Sequence, residues 1–317
     1  AGELRLIVAA LVIAVGSVSN DFGVKGVRDY CRFLDTTAQA ERFQRHLLDA
    51  MLRAHTQGTP VRPGQLDVAI VGAGATGVEL AAQLHRVTRQ LSAYGLDTID
   101  PDKDIRLNII EAHPRLLPSL PDRIADAAER QLRELGVTIN AGEQVVEVTE
   151  EGVACASGNF IPAAIKVWAA GIKAPDFLKD LDGLETNGRN QLVVEPTLQT
   201  TRDENIFALG DCAACPMGEG DIVPPRAQAA HQEASLLARA IRNRLKGRPL
   251  PEYEYKDYGS LVALGRYSTV GNLMGNLTGS FMISGRVARV VYLSLHKMHQ
   301  VALHGWMRAT LLSLLNF

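Results

Sequence analysis

The sequence has little of the features that mark secreted, nucleic-acid-binding or membrane-spanning proteins. Only 4 of its 317 residues are cysteine, and 33 Lys and Arg against 35 Asp and Glu leave a net charge of −2. The low cysteine content excludes a disulfide scaffold and predicts a reducing, intracellular setting. The near balance of charge removes any general attraction to nucleic acid, so we expect no such partner. The apolar run that ends at Val15 is too short to span a bilayer, and Arg5 alone makes a poor start to a signal peptide.

The composition and the spacing of apolar residues instead predict an α/β protein. Hydrophobic residues make up 46% and charged residues 21% of the chain, which is ordinary globular usage, and the length suggests about two domains. Strands alternate with helices as in parallel βαβ units, and a run of short strands broken by glycine predicts an antiparallel meander. The predicted strands are 6–15 (buried on both faces), 67–71, 105–110, 137–140, 164–169, 190–195 and 205–209, the meander covers 144–161, and the helices are 36–55, 75–93, 121–135 and 225–246.

A phosphate-binding loop follows the strand at residues 67–71. The sequence Gly72-Ala-Gly74-Ala-Thr-Gly77 is a G-x-G-x-x-G motif between a strand and a helix. The first glycine of such a motif permits the tight turn, the second lets the backbone approach a pyrophosphate, and the third lets the helix pack on the strand. A tight turn with no ligand is the alternative to a dinucleotide site.

Two further features extend the predicted dinucleotide site. Ala75 and Thr76 open the helix, whose free N–H groups and partial positive charge favour phosphate. Glu111 closes the next strand, where its carboxylate can accept hydrogen bonds from both ribose hydroxyls, and the polar insertion at 94–104 explains its distance from the loop. A carboxylate there repels a 2′-phosphate, so NADH is favoured over NADPH.

Three other strand ends carry small residues, which let a cofactor lie against the backbone. They are Ala14-Val15-Gly16, Ala169-Ala170-Gly171 and Gly210-Asp211. Asp211 at the end of its strand can accept hydrogen bonds from a polyol chain such as ribityl.

At this point the chain resembles the type II NADH dehydrogenases, the single-subunit NADH:quinone oxidoreductases. The resemblance rests on five motifs in order: Val15-Gly-Ser-Val-Ser-Asn-Asp-Phe22, Gly72-Ala-Gly-Ala-Thr-Gly-Val-Glu-Leu80, Trp168-Ala-Ala-Gly-Ile-Lys-Ala-Pro-Asp-Phe177, Ala208-Leu-Gly-Asp-Cys212 and Pro224-Pro-Arg-Ala-Gln-Ala-Ala-His-Gln232. It implies a flavoprotein with two Rossmann-like dinucleotide-binding domains, with FAD as cofactor, NADH and quinone as substrates and no proton pumping. It also implies peripheral attachment to the cytoplasmic face of the cell membrane, and a homodimer is left open.

The resemblance assigns roles residue by residue. Gly72, Gly74, Ala75, Thr76, Gly77, Glu111 and Gly171 match the NADH site, and Gly16, Gly210, Asp211 and Ala227 match flavin contacts. Gln228 and Gln232 match the A-Q-x-A-x-Q motif beside the isoalloxazine and quinone pocket, and Glu79 matches a glutamate proposed to connect nicotinamide and proton traffic.

The catalytic assignments each have a plainer alternative. Glu79 could be a first-turn acid that is favoured, and held ionised, by the helix dipole. Gln228 and Gln232 could be two exposed residues on one helix face, since they are four positions apart.

The resemblance also predicts a domain organisation in which one part of the family's pattern is missing. We expect a flavin-domain remnant with a connecting helix at 1–62, an NADH-binding domain at 63–172, the second part of the flavin domain at 173–248 and a membrane-associating region at 249–317. Family members carry a second G-x-G-x-x-G for the FAD pyrophosphate, and no such motif precedes Ala14. We therefore expect the first βαβ unit of the FAD domain to be absent, the chain to be truncated, and FAD to bind weakly or not at all.

The C-terminal region and the cysteines admit further interpretations. Apolar residues mixed with Arg and Lys from 281 to 317 predict an interfacial rather than a spanning helix, with a domain-packing helix as the alternative. Cys212 and Cys215 have redox or metal spacing, so a pyridine-nucleotide disulfide reductase stays open, although a structural role is favoured. We expect no metal site. A non-catalytic module that only binds NADH is the third possibility.

Overall fold

The computed structural model describes residues 10–218, 220–264, 269–275 and 279–284, together with 290, 294, 297, 300, 301, 305–308, 310 and 311. These residues form two compact units. The larger unit contains Asp21–Ala170 and the described residues from Gly259 onward, and the smaller unit contains the described residues up to Asn20 and Gly171–Tyr258.

The helices are α1 (Val27–Tyr30), α2 (Thr37–Thr56), α3 (Ala75–Ala93), α4 (Asp122–Glu134) and α5 (Ala227–Leu245), with 3₁₀ turns at Asp176–Asp180 and Gly210–Cys212. The strands are β1 (Leu11–Ile13), β2 (Val18–Ser19), β3 (Val68–Val71), β4 (Leu107–Glu111), β5 (Thr138–Ala141), β6 (Val145–Val148), β7 (Gly152–Cys155), β8 (Phe160–Pro162), β9 (Ile165–Trp168), β10 (Ile172–Lys173), β11 (Leu192–Val193), β12 (Ile206–Ala208), β13 (Ala213–Ala214), β14 (Pro216–Gly218), β15 (Asp221–Ile222), β16 (Gly259–Ala263), β17 (Thr269–Gly275) and β18 (Gly279–Ser284).

The larger unit is built on a parallel sheet in the order β5-β4-β3-β9. Because side chains alternate along a strand, the two faces of β3 enter different cores. Val68 and Ile70 pack with residues of α3 and α4, whereas Ala69 and Val71 pack with residues of the antiparallel meander β6-β7-β8. The parallel βαβ fold and the meander are therefore confirmed.

Helix α2 packs into the core of the larger unit. Its N terminus has a capping box in which the Thr36 hydroxyl accepts a hydrogen bond from the Gln39 N–H, as the polar residues before the helix predict. Phe43, Leu47 and Met51 are buried on one stripe. Leu48 and Leu52 of the same helix lie one position off this stripe and are 37% and 41% exposed.

The smaller unit consists of short strand pairs around helix α5. Strands β1 and β12 are parallel, with Ile13 beside Ala208, and β11 and β13 form a second parallel pair. Their core includes Phe207, Leu192 and Leu236.

The prediction that strand 6–15 is buried on both faces is wrong for its described part. Only Leu11–Ile13 form a strand, and Leu11 and Val12 are 45% and 40% exposed. The reason is that, among the described residues, β1 pairs only with β12 and Ile13 alone is buried. Residues 6–9 lie outside the described residues.

The compact units divide the chain differently from the predicted domains. The breaks fall after Asn20, Ala170 and Tyr258, whereas the predicted domains end at residues 62, 172 and 248. Residues 21–62 join the larger unit because α2 contributes to its core and Val27 packs with Val148.

Most of the predicted membrane-associating helix lies outside the described residues. In the parts that are described, no helix combines the length and apolar character needed to cross a membrane. Trp306, Met307 and Leu311 are helical, and their side chains are 77%, 88% and 62% exposed. Membrane association stays a prediction.

Candidate functional site

The loop between β3 and α3 requires two of its three glycines for its own geometry. Gly72 has φ +103°, and a Cβ on it would lie 2.7 Å from the backbone of Ala169 and Ala170. A Cβ on Gly77 would lie 2.0 Å from the Gly72 carbonyl oxygen. The tight turn and the close packing of the helix on the strand, which were expected of these two residues, are both present.

Gly74 differs from its two neighbours in the motif. Its φ is −68°, which any residue adopts, and a Cβ built on it meets nothing within 4 Å. Nothing in the described protein therefore requires glycine at this position. The residue is exposed at the N terminus of α3, so the space that a side chain would fill is open to a ligand.

The N terminus of α3 offers backbone N–H groups beside Gly74. The first helical hydrogen bond runs from the Val78 N–H to the Gly74 carbonyl, and no side chain caps the helix. The N–H groups of Ala75, Thr76 and Gly77 consequently lack an acceptor within the helix. Together with the partial positive charge of the helix end they form a surface that favours an anion.

Glu111 is the last residue of β4 and lies beside the loop. Its Oε2 accepts a hydrogen bond from the Ala73 N–H at 2.7 Å, and its Oε1 accepts one from the His113 N–H at 2.9 Å. Sequence reasoning predicted that these oxygens can accept hydrogen bonds from ribose hydroxyls. Each carboxylate oxygen accepts more than one hydrogen bond, so Glu111 both fixes the loop and keeps acceptor capacity for a ribose.

The order of the strands places this loop at the topological switch point of the sheet, where the order of successive strands reverses. Strand β3 lies between β4 and β9, and the Ala169 N–H donates to the Val71 carbonyl at 2.7 Å. In open α/β sheets, ligands bind at the carboxyl ends of the strands at such a point. The loop, Glu111 and Ala169-Ala170 meet at this edge, whereas Gly171 is the first residue of the smaller unit's second segment.

Glu79 lies in the second turn of α3 and is half-buried. Its Oε1 accepts a hydrogen bond from the Ala263 N–H of β16 at 2.8 Å. Burial raises the pKa of the Glu79 carboxyl, and the hydrogen bond from Ala263 only partly opposes this. Burial thus acts against the expected effect of the helix dipole, which is to keep Glu79 ionised.

The smaller unit brings together two of the predicted flavin-contacting loops. Gly16 and Gly210 follow the adjacent parallel strands β1 and β12, and the Ser17 hydroxyl donates to Asp211 Oδ2 at 2.7 Å. A Cβ built on Gly16 meets nothing within 4 Å. Ala227, another predicted contact, is the exposed first residue of α5.

Sequence reasoning missed Glu233, a buried carboxyl group that holds one of these loops. Glu233 is 2% exposed on α5, and its Oε2 accepts a hydrogen bond from the Gly210 N–H at 2.6 Å. Burial, and secondarily the nearby Asp211, raises its pKa. The missed signal was its spacing, since Glu233 falls on the stripe that also buries Ala229, Leu236 and Leu237.

Gln228 and Gln232 share one face of α5 and bind the same segment of chain. Gln228 donates to Asp257 Oδ1 at 3.1 Å and accepts from the Tyr258 N–H at 3.0 Å. Gln232 donates to the Lys256 carbonyl at 2.8 Å and accepts from the Lys256 N–H at 3.1 Å. Both side-chain amides thus secure residues 256–258 against the helix.

The cysteine pair has the spacing of a reactive dithiol but not its environment. Cys212 and Cys215 are free and buried, and their thiols contact different backbone carbonyls, Leu209 for Cys212 and Pro216 for Cys215. Burial raises the pKa of both thiols, that of Cys215 to about 12. This environment disfavours the disulfide-reductase alternative. Across the residues that the structure describes, no cluster of potential ligands could hold a metal ion.

Comparisons with known proteins agree with this arrangement. The family model for pyridine nucleotide-disulphide oxidoreductases matches residues 2–234. The chain is 41% identical to a type II NADH:quinone oxidoreductase of Haemophilus influenzae, over 96% of this chain and 72% of the relative. It is 30% identical to the protein of the same name from Staphylococcus saprophyticus, over 84% of this chain and 65% of the relative.

Solved structures show the same fold. NDH2 from Plasmodium falciparum in complex with NADH aligns with a TM-score of 0.79 and 20% identity, covering 93% of this chain and 75% of that chain. The sulfide:quinone oxidoreductase of Aquifex aeolicus aligns with a TM-score of 0.68 and 18% identity, covering 91% of this chain and 67% of that chain.

Proposed function

Because the chain belongs to the type II NADH:quinone oxidoreductases, within the pyridine nucleotide-disulphide oxidoreductases, we propose that it binds NADH at the β3–α3 loop and serves NADH:quinone oxidoreduction with FAD. The match covers 72% of the Haemophilus relative. The activity named for that relative is proposed for this chain on the residues described above.

The observation that carries the proposal is Gly74. Gly72 and Gly77 are required by the protein itself, but none of the residues that the structure describes explains a glycine at position 74. A pyrophosphate that approaches the backbone there does explain it. The N–H groups of Ala75 and Thr76 then donate to phosphate oxygens, and Glu111 accepts from the adenosine ribose. A 2′-phosphate would meet the Glu111 carboxylate, which favours NADH over NADPH.

The smaller unit offers a compatible place for part of a flavin. Open space at Gly16 and the polar pair of Ser17 and Asp211 suit a polyol chain and a ring laid against the backbone. Gly16, Gly210, Asp211 and Ala227 are the residues that we propose to hold FAD. When bound, FAD supplies the acceptor for the nicotinamide hydride and the donor of two electrons to quinone.

The catalytic roles rest on protonation and positioning. Glu79 retains its proton to a higher pH than an ordinary glutamate, which suits a group that holds and releases a proton during turnover. Gln228 and Gln232 are proposed to border the quinone site. Their amides are engaged with residues 256–258, so they position that segment, and direct contact with quinone would require them to exchange these bonds.

The membrane surface is proposed as the place where quinone is met. Exposed Trp306, Met307 and Leu311, with exposed Arg308 among them, have the composition of an interfacial helix. Peripheral attachment at the cytoplasmic face, and a homodimer, belong to the proposal by resemblance alone.

The test compares two valine substitutions at equally open glycines. Gly74→Val is expected to weaken NADH binding by at least about 100-fold, because the side chain fills the space of the pyrophosphate. Gly188→Val is the matched control, since a Cβ there also meets nothing within 4 Å. Calorimetry measures the affinity, and the thermal midpoint shows that both variants fold.

Unchanged NADH affinity in Gly74→Val would contradict the proposed site. If NADH binds but no quinone is reduced after FAD is added, the chain is the non-catalytic binding module. The visible flavin absorbance of the purified protein measures how much FAD it retains.

A further inference from the structure

A cleft of ≈ 560 Å³ lies in the larger unit, between α2 and the segment Cys31–Phe33. This segment lies along the edge of β9, because the Arg32 N–H donates to the Lys166 carbonyl at 2.8 Å and the Trp168 N–H donates to the Arg32 carbonyl at 2.9 Å. Gln39, Arg42 and His46 face the cleft from α2 at helical spacing. Both walls are therefore fixed by regular hydrogen bonding.

The charges that line the cleft are nearly all of one sign. Arg32, Arg42 and Arg45 face a single carboxylate, Asp49, so the lining carries a net charge of +2 when His46 is neutral. Among the described residues, none of these three arginines forms an ion pair with a carboxylate, whereas Arg28, Arg89 and Arg133 each do so elsewhere in the same unit. Arg45 donates from Nε to the Glu41 carbonyl.

The excess of positive charge also affects the pKa of His46. Its pKa is lowered by burial first and then by Arg32 and Arg53, and Asp49 only partly opposes this. The ring is thus neutral near pH 7 and able to donate one N–H. An anion placed among these groups would reverse the effect and raise the pKa of His46.

We propose that this cleft is a second anion site, distinct from the glycine-rich loop, and that it binds a phosphoryl group. Guanidinium groups present paired N–H donors in a plane, which match the oxygens of a phosphate better than a single ammonium does. Gln39 and His46 add neutral donors from α2. The shared chemistry is a phosphate with at least two free oxygens, whether it belongs to a soluble compound or to an anionic lipid headgroup.

The test uses His46 as the reporter, because the glycine-rich loop also offers donors to a phosphate. NMR titration follows the His46 ring signal, assigned by its loss in His46→Gln, with and without inorganic pyrophosphate. The variant Arg42→Gln/Arg45→Gln removes two exposed guanidinium groups. Arg130→Gln/Arg239→Gln is the matched control, since it removes the same charge from exposed positions of α4 and α5.

Pyrophosphate is expected to raise the pKa of His46 in the unsubstituted chain and in the control. In Arg42→Gln/Arg45→Gln the same shift requires at least about tenfold more pyrophosphate, because two charge-assisted contacts are lost. This outcome supports a soluble phosphate ligand.

Flotation with phosphatidylcholine vesicles, with and without phosphatidylglycerol, tests the lipid source. Binding that requires phosphatidylglycerol and falls in Arg42→Gln/Arg45→Gln but not in the control supports a headgroup. If both probes depend on Arg42 and Arg45, the tighter one identifies the source. The proposal is overturned if pyrophosphate leaves the His46 pKa unchanged and the vesicles bind all variants equally.

Discussion

The two units use parallel strands in opposite ways. In the larger unit β3, β4 and β9 are buried at every position, since helices cover one face and the meander covers the other. In the smaller unit β1 buries Ile13 and leaves Leu11 and Val12 largely exposed. An apolar strand is therefore buried along its whole length only where other elements cover both faces of its sheet. The nucleotide loop follows a strand of the covered sheet, whereas the predicted flavin loops at Gly16 and Gly210 follow β1, which is mostly exposed, and β12, which is mostly buried.

The largest effect is expected in the larger unit at Gly77. Gly77→Ala would place a Cβ 2.0 Å from the Gly72 carbonyl oxygen, so the helix start or the turn must move. We expect a loss of more than about 4 kcal/mol in the free energy of unfolding, measured by urea denaturation. Gly74→Ala is the control and should cost less than about 1 kcal/mol. Equal losses in the two variants would mean that the loop is not held as described.

The second prediction contrasts two apolar residues of neighbouring strands in the smaller unit. Phe207→Ala in β12 removes a fully buried ring and is expected to cost about 3–5 kcal/mol. Leu11→Ala in β1 removes a side chain that is 45% exposed and should cost at most about 1 kcal/mol. Urea denaturation of both variants measures the difference. A large loss at Leu11 would show that its exposed face is covered in solution.

The third prediction concerns the buried Glu233. Glu233→Ala leaves the Gly210 N–H without its acceptor and is expected to cost about 1–3 kcal/mol, while Glu233→Gln keeps an acceptor. Because folding raises the Glu233 pKa above its ordinary value of 4.5, the folded state binds its proton more tightly. Stability from this group is therefore present below that value and is lost as the pH rises through the folded-state pKa.

The measurement for Glu233 is the free energy of unfolding as a function of pH. The glutamine of Glu233→Gln does not titrate. The free energy of unfolding of this variant should therefore increase relative to that of the unsubstituted chain as the pH rises above about 4.5. A difference that stays constant with pH would contradict the raised pKa.

The smallest effect compares how the two units start their long helices. Helix α2 has a capping box at Thr36, whereas α5 begins at Ala227 without a side-chain cap. Thr36→Ala should cost about 1 kcal/mol, measured by thermal unfolding of the larger unit. Thr37→Ala, one position inside the same helix, should change the stability by less than half of that amount. Equal effects would show that the cap contributes nothing.

Local patterns predicted most elements of the fold closely. Helix α3 covers the predicted residues 75–93, and each of the strands β3 to β9 lies within one or two residues of its predicted position. Side-chain periodicity follows from the geometry of each element, so it is legible without tertiary information. The same patterns predicted that Leu11 is buried, because an apolar run does not show whether a second element covers each face of the strand.

The candidate site also has a part that the sequence predicted and a part that it did not. The roles of Gly72 and Gly77 follow from the motif, since a tight turn and a close helix–strand contact are local demands. The hydrogen bonds of Glu111 to the loop could not be foreseen, because its oxygens were expected to accept from ribose hydroxyls. The attachment of Gln228 and Gln232 to residues 256–258 could not be foreseen either, because these partners are distant in sequence. The catalytic and cofactor roles of these residues stay predictions.

By itself the sequence determined the succession of strands and helices, the glycine-rich turn and the family to which the chain belongs. Only the tertiary structure decided that residues 21–62 pack with the larger unit, that burial raises the pKa of Glu79 and that Glu233 is buried against Gly210. The physical reason is that turns and periodicity depend on a few consecutive residues. Hydration and hydrogen-bond partners, which set burial and protonation, depend on whichever distant segment packs against each side chain.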